Sequence, residues 1–266
     1  MSVLLNALLA AASPITPLEP NGPWTVAYEQ SMCVAARKYG AKGEASVGFR
    51  PGPLSDRMEI SIDVDRWPGH LLLQGKAQIR TAPGDRQLDA TYRSIWISKH
   101  SAHAIIISTT NDVLTDLREG SVVTIEGKPS GTLSVRMTNL AKVRAALADC
   151  RNVLLRYWDV DLAGLAKVAT LAKPIGDMGS WITSDDYPKP AAQKGERGDT
   201  IILWTIGKDG SASDCRVVRS SGTPALDAAA CHAIQRSARY EPALDGKGNP
   251  VVSWESRRVR WRAFRL

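Results

Sequence analysis

The sequence has four cysteines and no pair at C-x-x-C spacing, which argues against a zinc ribbon or a dithiol redox centre. It contains no G-x-S-x-G and no H-E-x-x-H, so neither a hydrolase elbow nor a helix-borne zinc protease site is written in it. No apolar run reaches the roughly 20 residues that a membrane-crossing helix needs. There is no internal repeat, and no nucleic-acid-binding fingerprint accompanies the positive charge.

What is present fits two domains. The chain has 266 residues, of which 44% are hydrophobic, enough for a packed core in each half. Its net charge of +7 favours anionic partners such as acidic peptides or lipid headgroups, and most of the excess is expected on a solvated surface. Residues 1–12 end in Ala10-Ala11-Ala12 after a short apolar run, and are expected to be a signal peptide of an exported protein. No Lys or Arg precedes the run, so a short buried helix is the competing expectation. An even cysteine count in an exported chain predicts two disulfides, for which three pairings exist.

Residues 14–23 hold four prolines and read as an extended lead-in. From Trp24 to about Arg136 the pattern is one of short strands. Arg57 to Val64 alternates, with Met58, Ile60, Ile62 and Val64 on one face. Glu44 to Arg50, His70 to Arg80, Leu88 to Lys99, Ala104 to Thr109, Ser121 to Glu126 and Thr132 to Met137 are further strands. Turns such as Pro51-Gly52-Pro53 and Pro83-Gly84-Asp85 separate several of them. The first domain, 24–158, is thus expected to be mainly β, an antiparallel sandwich or barrel-like sheet with a closing helix. Thr138 or Asn139 is expected to cap that helix, whose inner stripe is Leu140, Val143, Leu147, Cys150, Leu154 and Tyr157. Cys150 lies on the stripe, and Cys33 lies near the start of the same half. A Cys33–Cys150 bridge is predicted, with two buried thiols as the alternative.

Residues 159–186 mix Gly, Ala, Lys and Pro without amphipathic order and read as a linker with local helix. The second domain, 187–266, begins with a strand in which Ile202, Trp204 and Ile206 share one face and Ile201, Leu203 and Thr205 the other. Lys208-Asp209-Gly210 supplies a tight turn. Cys215 lies on the return strand, and Thr223-Pro224 fit the cap and first position of a helix. Leu226, Ala230, Ala233, Ile234 and Ser237 form its inner face, and Cys231 beside them is within reach of Cys215. A last strand, expected to begin near Val251, carries Val251, Val259 and Trp261 on one face and Arg258, Arg260 and Arg262 on the other. The expectation is an α+β module, an antiparallel sheet crossed by a helix.

The order Tyr187-Pro188, Asp209-Gly210, Ser220-Ser221-Gly222-Thr223-Pro224-Ala225-Leu226-Asp227 and Tyr240-Glu241-Pro242-Ala243 resembles the TonB C-terminal domain family over about residues 185–263. The resemblance implies a Gram-negative periplasmic setting and binding of an extended peptide at a sheet edge. It implies that the last strand supplies this edge, giving Ser253, Trp254, Glu255, Ser256, Arg257, Arg258, Val259 and Arg260 as partner-binding residues. The arginine run favours an acidic segment on an envelope protein. Membrane-surface contact by Arg257, Arg258, Arg260, Arg262 and Arg265, flanked by Trp254 and Trp261, is a second use, and edge protection a third. The family's transducers carry a membrane helix and a Pro-rich span, neither of which is written here. The expectation is therefore a non-catalytic adaptor without cofactor or metal, with a transducer or a targeted envelope enzyme as alternatives.

Titratable residues give no second theme. His100 and His103 are expected at a hairpin tip, His70 in a turn and His232 on an exposed helix face. Asp63, Asp65 and Asp89 form a carboxylate pair only if the fold joins them.

Overall fold

A computed structural model of the chain describes residues 16–29, 31–64, 74–97, 102–110, 112–127 and 131–262. The expected signal segment 1–12, His70, Asp65, His100 and Arg265 lie outside these residues, as does the side chain of His103.

The N-terminal half is one antiparallel sheet of nine strands: β1 (Pro20–Glu29), β2 (Met32–Tyr39), β3 (Ala45–Pro51), β4 (Arg57–Val64), β5 (Gln74–Ala82), β6 (Arg86–Ile97), β7 (Ala102–Thr110), β8 (Val122–Gly127) and β9 (Gly131–Arg136). A short helix, α1 (Asp112–Thr115), lies between β7 and β8. The spatial order is β1-β2-β3-β4-β7-β6-β5-β8-β9. Leu18, just ahead of β1, forms a parallel bridge with Val135 of β9, its N–H donating to the Ser134 carbonyl at 2.8 Å. The sheet thus curls into a half-barrel whose ends are linked by this bridge, closer to the barrel-like of the two expected architectures than to the sandwich. The four-proline segment is not merely a lead-in. Its second half starts β1, where Pro20 pairs in register with Tyr39 and a bulge between Asn21 and Thr25 takes up Pro23.

Alternation decides which side chains point inward. Tyr39, Val47, Phe49, Met58, Ile60, Ile62, Ile79, Ile125 and Val135 all enter the core. Each Ile or Phe withdrawn from water contributes about 1.5–3 kcal/mol. Along β2, Cys33 to Ala36 are apolar at every position and Cys33, Val34 and Ala35 are all buried, so alternation gave no signal there.

Helix α2 (Leu140–Tyr157) packs against β1 and β2 and fills the barrel with Leu140, Val143, Leu147, Cys150 and Leu154. Tyr157 departs from the expected stripe and is 69% exposed, while Leu155 and Trp158 are buried instead. The helix ends there, and Trp158 turns back into the core. The capping expectation is also corrected. Asn139 takes a left-handed conformation (φ 59°) and makes no side-chain cap. Glu119 from the loop before β8 accepts the Asn139 and Leu140 N–H groups at 2.6 and 3.1 Å. The Thr138 hydroxyl is engaged by Arg37 at 2.7 Å. A disulfide joins Cys33 to Cys150.

The stretch after α2 is packed rather than loose. Leu162 and Leu165 of α3 (Leu162–Leu165) lie against the first core, whereas Trp181, in a 3-10 turn at Met178–Trp181, is buried in a second. Between them runs β10 (Lys173–Pro174). The second core draws on α4 (Lys189–Gln193), β11 (Gly198–Ile206), β12 (Ala212–Arg219), α5 (Pro224–Ser237), β13 (Tyr240–Glu241) and β16 (Ser253–Trp261), while β14 (Ala243–Leu244) and β15 (Pro250–Val251) lie between β13 and β16 in the chain. Its sheet has the order β12-β11-β16, with α5 against β11 and β12. Two short antiparallel pairs, β10 with β13 and β14 with β15, accompany it. A disulfide joins Cys215 of β12 to Cys231 of α5.

Strand β11 is buried on both faces, which explains its two apolar stripes. Ile202, Trp204 and Ile206 face α5, while Leu203 joins the core of the N-terminal barrel. Val218 and Trp254 pack against that same core. Gly210 sits at φ +77° in the hairpin turn, and a Cβ there would collide with the Tyr240 carbonyl.

Candidate functional site

Strand β16 is the outer strand of the C-terminal sheet. It pairs with β11 along its whole length, from Ser253 opposite Ile206 to Trp261 opposite Gly198. Among the described residues no strand pairs with its other side. The direction of its backbone groups follows from one hydrogen bond. The Ser256 N–H donates to the Glu255 carboxylate at 3.0 Å, so it points away from β11. Antiparallel alternation gives Trp254, Arg258 and Arg260 the same outward direction, and commits Glu255, Arg257 and Val259 to the ladder with β11.

The side chains divide differently. Ser253, Glu255, Arg257, Val259 and Trp261 lie on the α5 side, opposite Ile206, Trp204, Ile202, Thr200 and Gly198. Trp254, Ser256, Arg258 and Arg260 lie on the side turned towards the barrel. Glu255 is half-buried as a residue, but its carboxyl is shut away from water, and that burial pushes it up to about 7. The Ser256 N–H, Arg57 and Arg257 act against the shift, and Asp56 adds to it.

A buried polar chain fixes the far end of β16. The Trp261 indole N–H donates to the Thr200 hydroxyl at 3.1 Å, and that hydroxyl donates to Asp227 at 2.8 Å. Asp227 also accepts the Ser221 N–H at 2.9 Å and the Ser220 hydroxyl. Burial raises the Asp227 carboxyl, but the hydrogen bonds from Ser220, Ser221 and Thr200 outweigh it and hold the group below the usual range. The Ser220-to-Asp227 motif is therefore a loop tied down by its own last residue. Thr223 makes no side-chain cap, contrary to expectation, because Asp227 and the Ser221 hydroxyl already organise that turn. Tyr187 stacks edge-on against Trp261 at 5.3 Å, which gives the Tyr-Pro lead-in its place.

Between β16 and the barrel runs a groove of about 460 Å³. Its walls carry Arg257, Arg258 and Arg260 from β16, and Arg50, Arg57, Glu59 and Arg93 from the barrel. Arg93 pairs with Glu59 at 3.1 Å. Arg257 donates to the Met178 carbonyl at 2.6 Å, and Arg57 to the Met178 sulfur at 2.7 Å. The Arg50 Nε is buried with no hydrogen-bond partner among the described residues. Burial, then repulsion from Arg93 and Arg258, weakens the hold of Arg260 on its proton; burial and Arg57 do the same to Arg257.

The sequence-derived site residues are therefore contiguous on one strand but do not present one arginine face to solvent. Arg258 and Arg260 face the groove, whereas Arg262 pairs with Asp199 at 3.0 Å. Trp261 is 3% exposed and Trp254 packs on the barrel core, so the aromatic flanks of the membrane-surface alternative are spent inside the molecule. Arg50, Arg57 and Arg93 were missed. They lie on separate elements and only the fold brings them to β16. Asp63 lies level with Ile95 of β6 through Ala104, while Asp89 lies well back along that strand, so no carboxylate pair forms between them. His232 is exposed on α5, and His103 of β7 pairs through its backbone with Trp96 of β6.

Residues 184–263 match the model of the Gram-negative bacterial TonB protein C-terminal family. Protein TonB of Helicobacter pylori (strain J99 / ATCC 700824) is 41% identical over 59 residues, covering 22% of this chain and 21% of that protein. Protein TonB of Helicobacter pylori (strain ATCC 700392 / 26695) is 41% identical over 56 residues, covering 21% of this chain and 20% of that protein. The alignment thus spans about a fifth of the length of the curated relatives it matches. The C-terminal module is thus similar to the TonB C-terminal family over residues 184–263.

Proposed function

We propose that this chain is a non-catalytic binding protein of the Gram-negative envelope, working in the periplasm. Its C-terminal module adds an extended segment of an envelope partner to β16 as a further strand. What carries this is the end of the C-terminal sheet. Strand β16 has no described neighbour beyond it, and an outward N–H at Ser256 is satisfied only by the adjacent Glu255 side chain. Unpaired ladder groups of this kind are satisfied by an incoming chain. Ser253, Trp254, Glu255, Ser256, Arg257, Arg258, Val259 and Arg260 form the edge. The family match to residues 184–263 supports the envelope setting. Among the described residues no helix is long and apolar enough to cross a membrane.

A second reading comes from the relatives, which are named Protein TonB: coupling to outer-membrane transport. Restored receptor-dependent uptake in a strain lacking its own transducer would favour it.

The test of strand addition is Arg258→Pro, which removes an outward N–H and spares the bond from Arg257 to β11. Binding of an envelope partner captured by the wild-type chain is expected to be lost while the thermal melt is largely kept. Retained binding would overturn the reading.

A further inference from the structure

The groove is charged out of proportion to its size. Six guanidiniums line it and Glu59 is its one carboxylate, already paired with Arg93. Among the described residues none of the other five arginines makes an ion pair. Like charges held together in a half-buried cleft repel, and the arrangement is relieved when an anion enters.

The groove also has a direction. Arg257 comes from one face of β16, and Ser256, Arg258 and Arg260 from the other, yet all line the same cavity. The cavity runs beneath the barrel-facing side of β16, where Ile201 of β11 also lines it, and with Arg257 from the opposite face it reaches the outer edge of the strand, where the outward N–H groups are. The opposite wall, with Arg50, Arg57 and Arg93, belongs to the barrel.

We propose that this groove recognises acidic side chains at alternate positions of the segment laid on β16, with Arg50 and Arg93 of the barrel completing the site. This rests on the strand-addition reading. In an extended chain, residues two apart project to the same side with a repeat of about 6.6–6.8 Å. Arg258 and Arg260 share that repeat, so carboxylates at i and i+2 of the incoming strand meet them in register. Guanidinium and carboxylate pair with two parallel hydrogen bonds, and the partly dry cleft strengthens each. A space of about 460 Å³ holds a few side chains and not a folded partner, in line with the roughly 300–1,000 Å³ of ordinary ligand clefts. The barrel thus acts as the selective wall of a site whose backbone half is β16.

The test uses the whole chain and fluorescence anisotropy with short labelled peptides. One alternates Thr with Glu, one alternates Thr with Gln, and one has the Glu residues in a block. The alternating acidic peptide is expected to bind at least about tenfold more tightly than the Gln peptide, with affinity falling as salt rises. Arg50→Gln and Arg260→Gln are each expected to weaken it several-fold with unchanged thermal melts, and Arg50→Lys to restore part of the loss. Equal binding of the Gln or block peptide, or wild-type affinity in both Gln variants, overturns the proposal. Full displacement by pyrophosphate at concentrations where the peptide fails to compete also overturns it, in favour of a small-anion site. Methylating alternate backbone nitrogens of the peptide separates the two ideas. Binding that survives methylation but still needs Glu and Arg50 leaves the charged groove and removes strand addition. Binding abolished by methylation but indifferent to Glu leaves strand addition and removes the groove.

Discussion

The Thr200 hydroxyl donates to the Asp227 carboxylate over 2.8 Å, with Thr200 wholly buried and Asp227 almost so. Through it the middle strand of the C-terminal sheet is tied to the start of α5, and through Trp261 to the end of β16. Removing a partner from such a chain strands the rest. Thr200→Val is expected to cost about 1–3 kcal/mol and Asp227→Ala more, because Ser220, Ser221 and Thr200 then all lose their acceptor. Urea melts measure this; a neutral Asp227→Ala would show that the chain is decorative.

The same residue gives an acid limb. The folded Asp227 carboxyl sits below its ordinary value. Its contribution is therefore present above the unfolded value near 3.9 and lost as pH falls through the folded one. Asp227→Asn should flatten the fall in stability at the acid end, read as melting temperature against pH.

Glu255 works in the opposite sense. Its folded value, about 7, exceeds the reference of 4.5. The folded state holds more protons between these values, so stability from this group is full below the lower one and declines as pH rises through the upper one. Arg57, Arg257, Asp56 and the Ser256 N–H are the groups around it. Glu255→Gln should remove the decline between about pH 4.5 and pH 7. A wild-type slope in the variant would refute the assignment.

The two disulfides close very different loops, with separations of 117 and 16 residues. On the chain-entropy model the longer is worth about 4–5 kcal/mol and the shorter about 3. Replacing Cys33 and Cys150 by Ala should therefore lower the melting temperature more than replacing Cys215 and Cys231. The reverse order would mean that strain or unfolded-state structure dominates.

At Gly210, φ is +77° and a side chain would strike the Tyr240 carbonyl. Gly210→Ala should cost more than the roughly 1 kcal/mol of an unfavourable left-handed Ala alone. Denaturant melts compare it with Gly246→Ala, where nothing lies near the added atom.

Arg257→Pro and Arg258→Pro place the same ring on neighbouring residues. The first breaks the ladder to β11 at Ile202, and the second leaves it. The first should unfold the module and the second should spare it, as circular dichroism would report. Equal damage would mean that the outward direction taken from the Ser256 bond is wrong.

Much of this was written in the chain. The span Arg57–Val64 follows from strict alternation, α2 from its apolar stripe, and the C-terminal module from turn and cap residues in a fixed order. Each depends on neighbours within a few residues, and periodicity reports those directly. The failures share a cause. The sequence offers Thr138 or Asn139 as the cap, but Glu119, distant in sequence, supplies the carboxylate. Tyr157 fitted the stripe, but the helix stops beneath it.

The second apolar face of β11 was visible in Ile201 and Leu203, yet nothing local says what covers it; the barrel does, through Leu203 and Trp254. The sequence by itself determined that a last strand exists, which side chains share each of its faces, and that it is rich in arginine. Only the tertiary structure decided which backbone groups point outward and that the barrel brings Arg50, Arg57 and Arg93 across from it. Strand identity is a property of a two-residue repeat, whereas a cleft between two units depends on contacts between residues over a hundred positions apart, which no local pattern encodes.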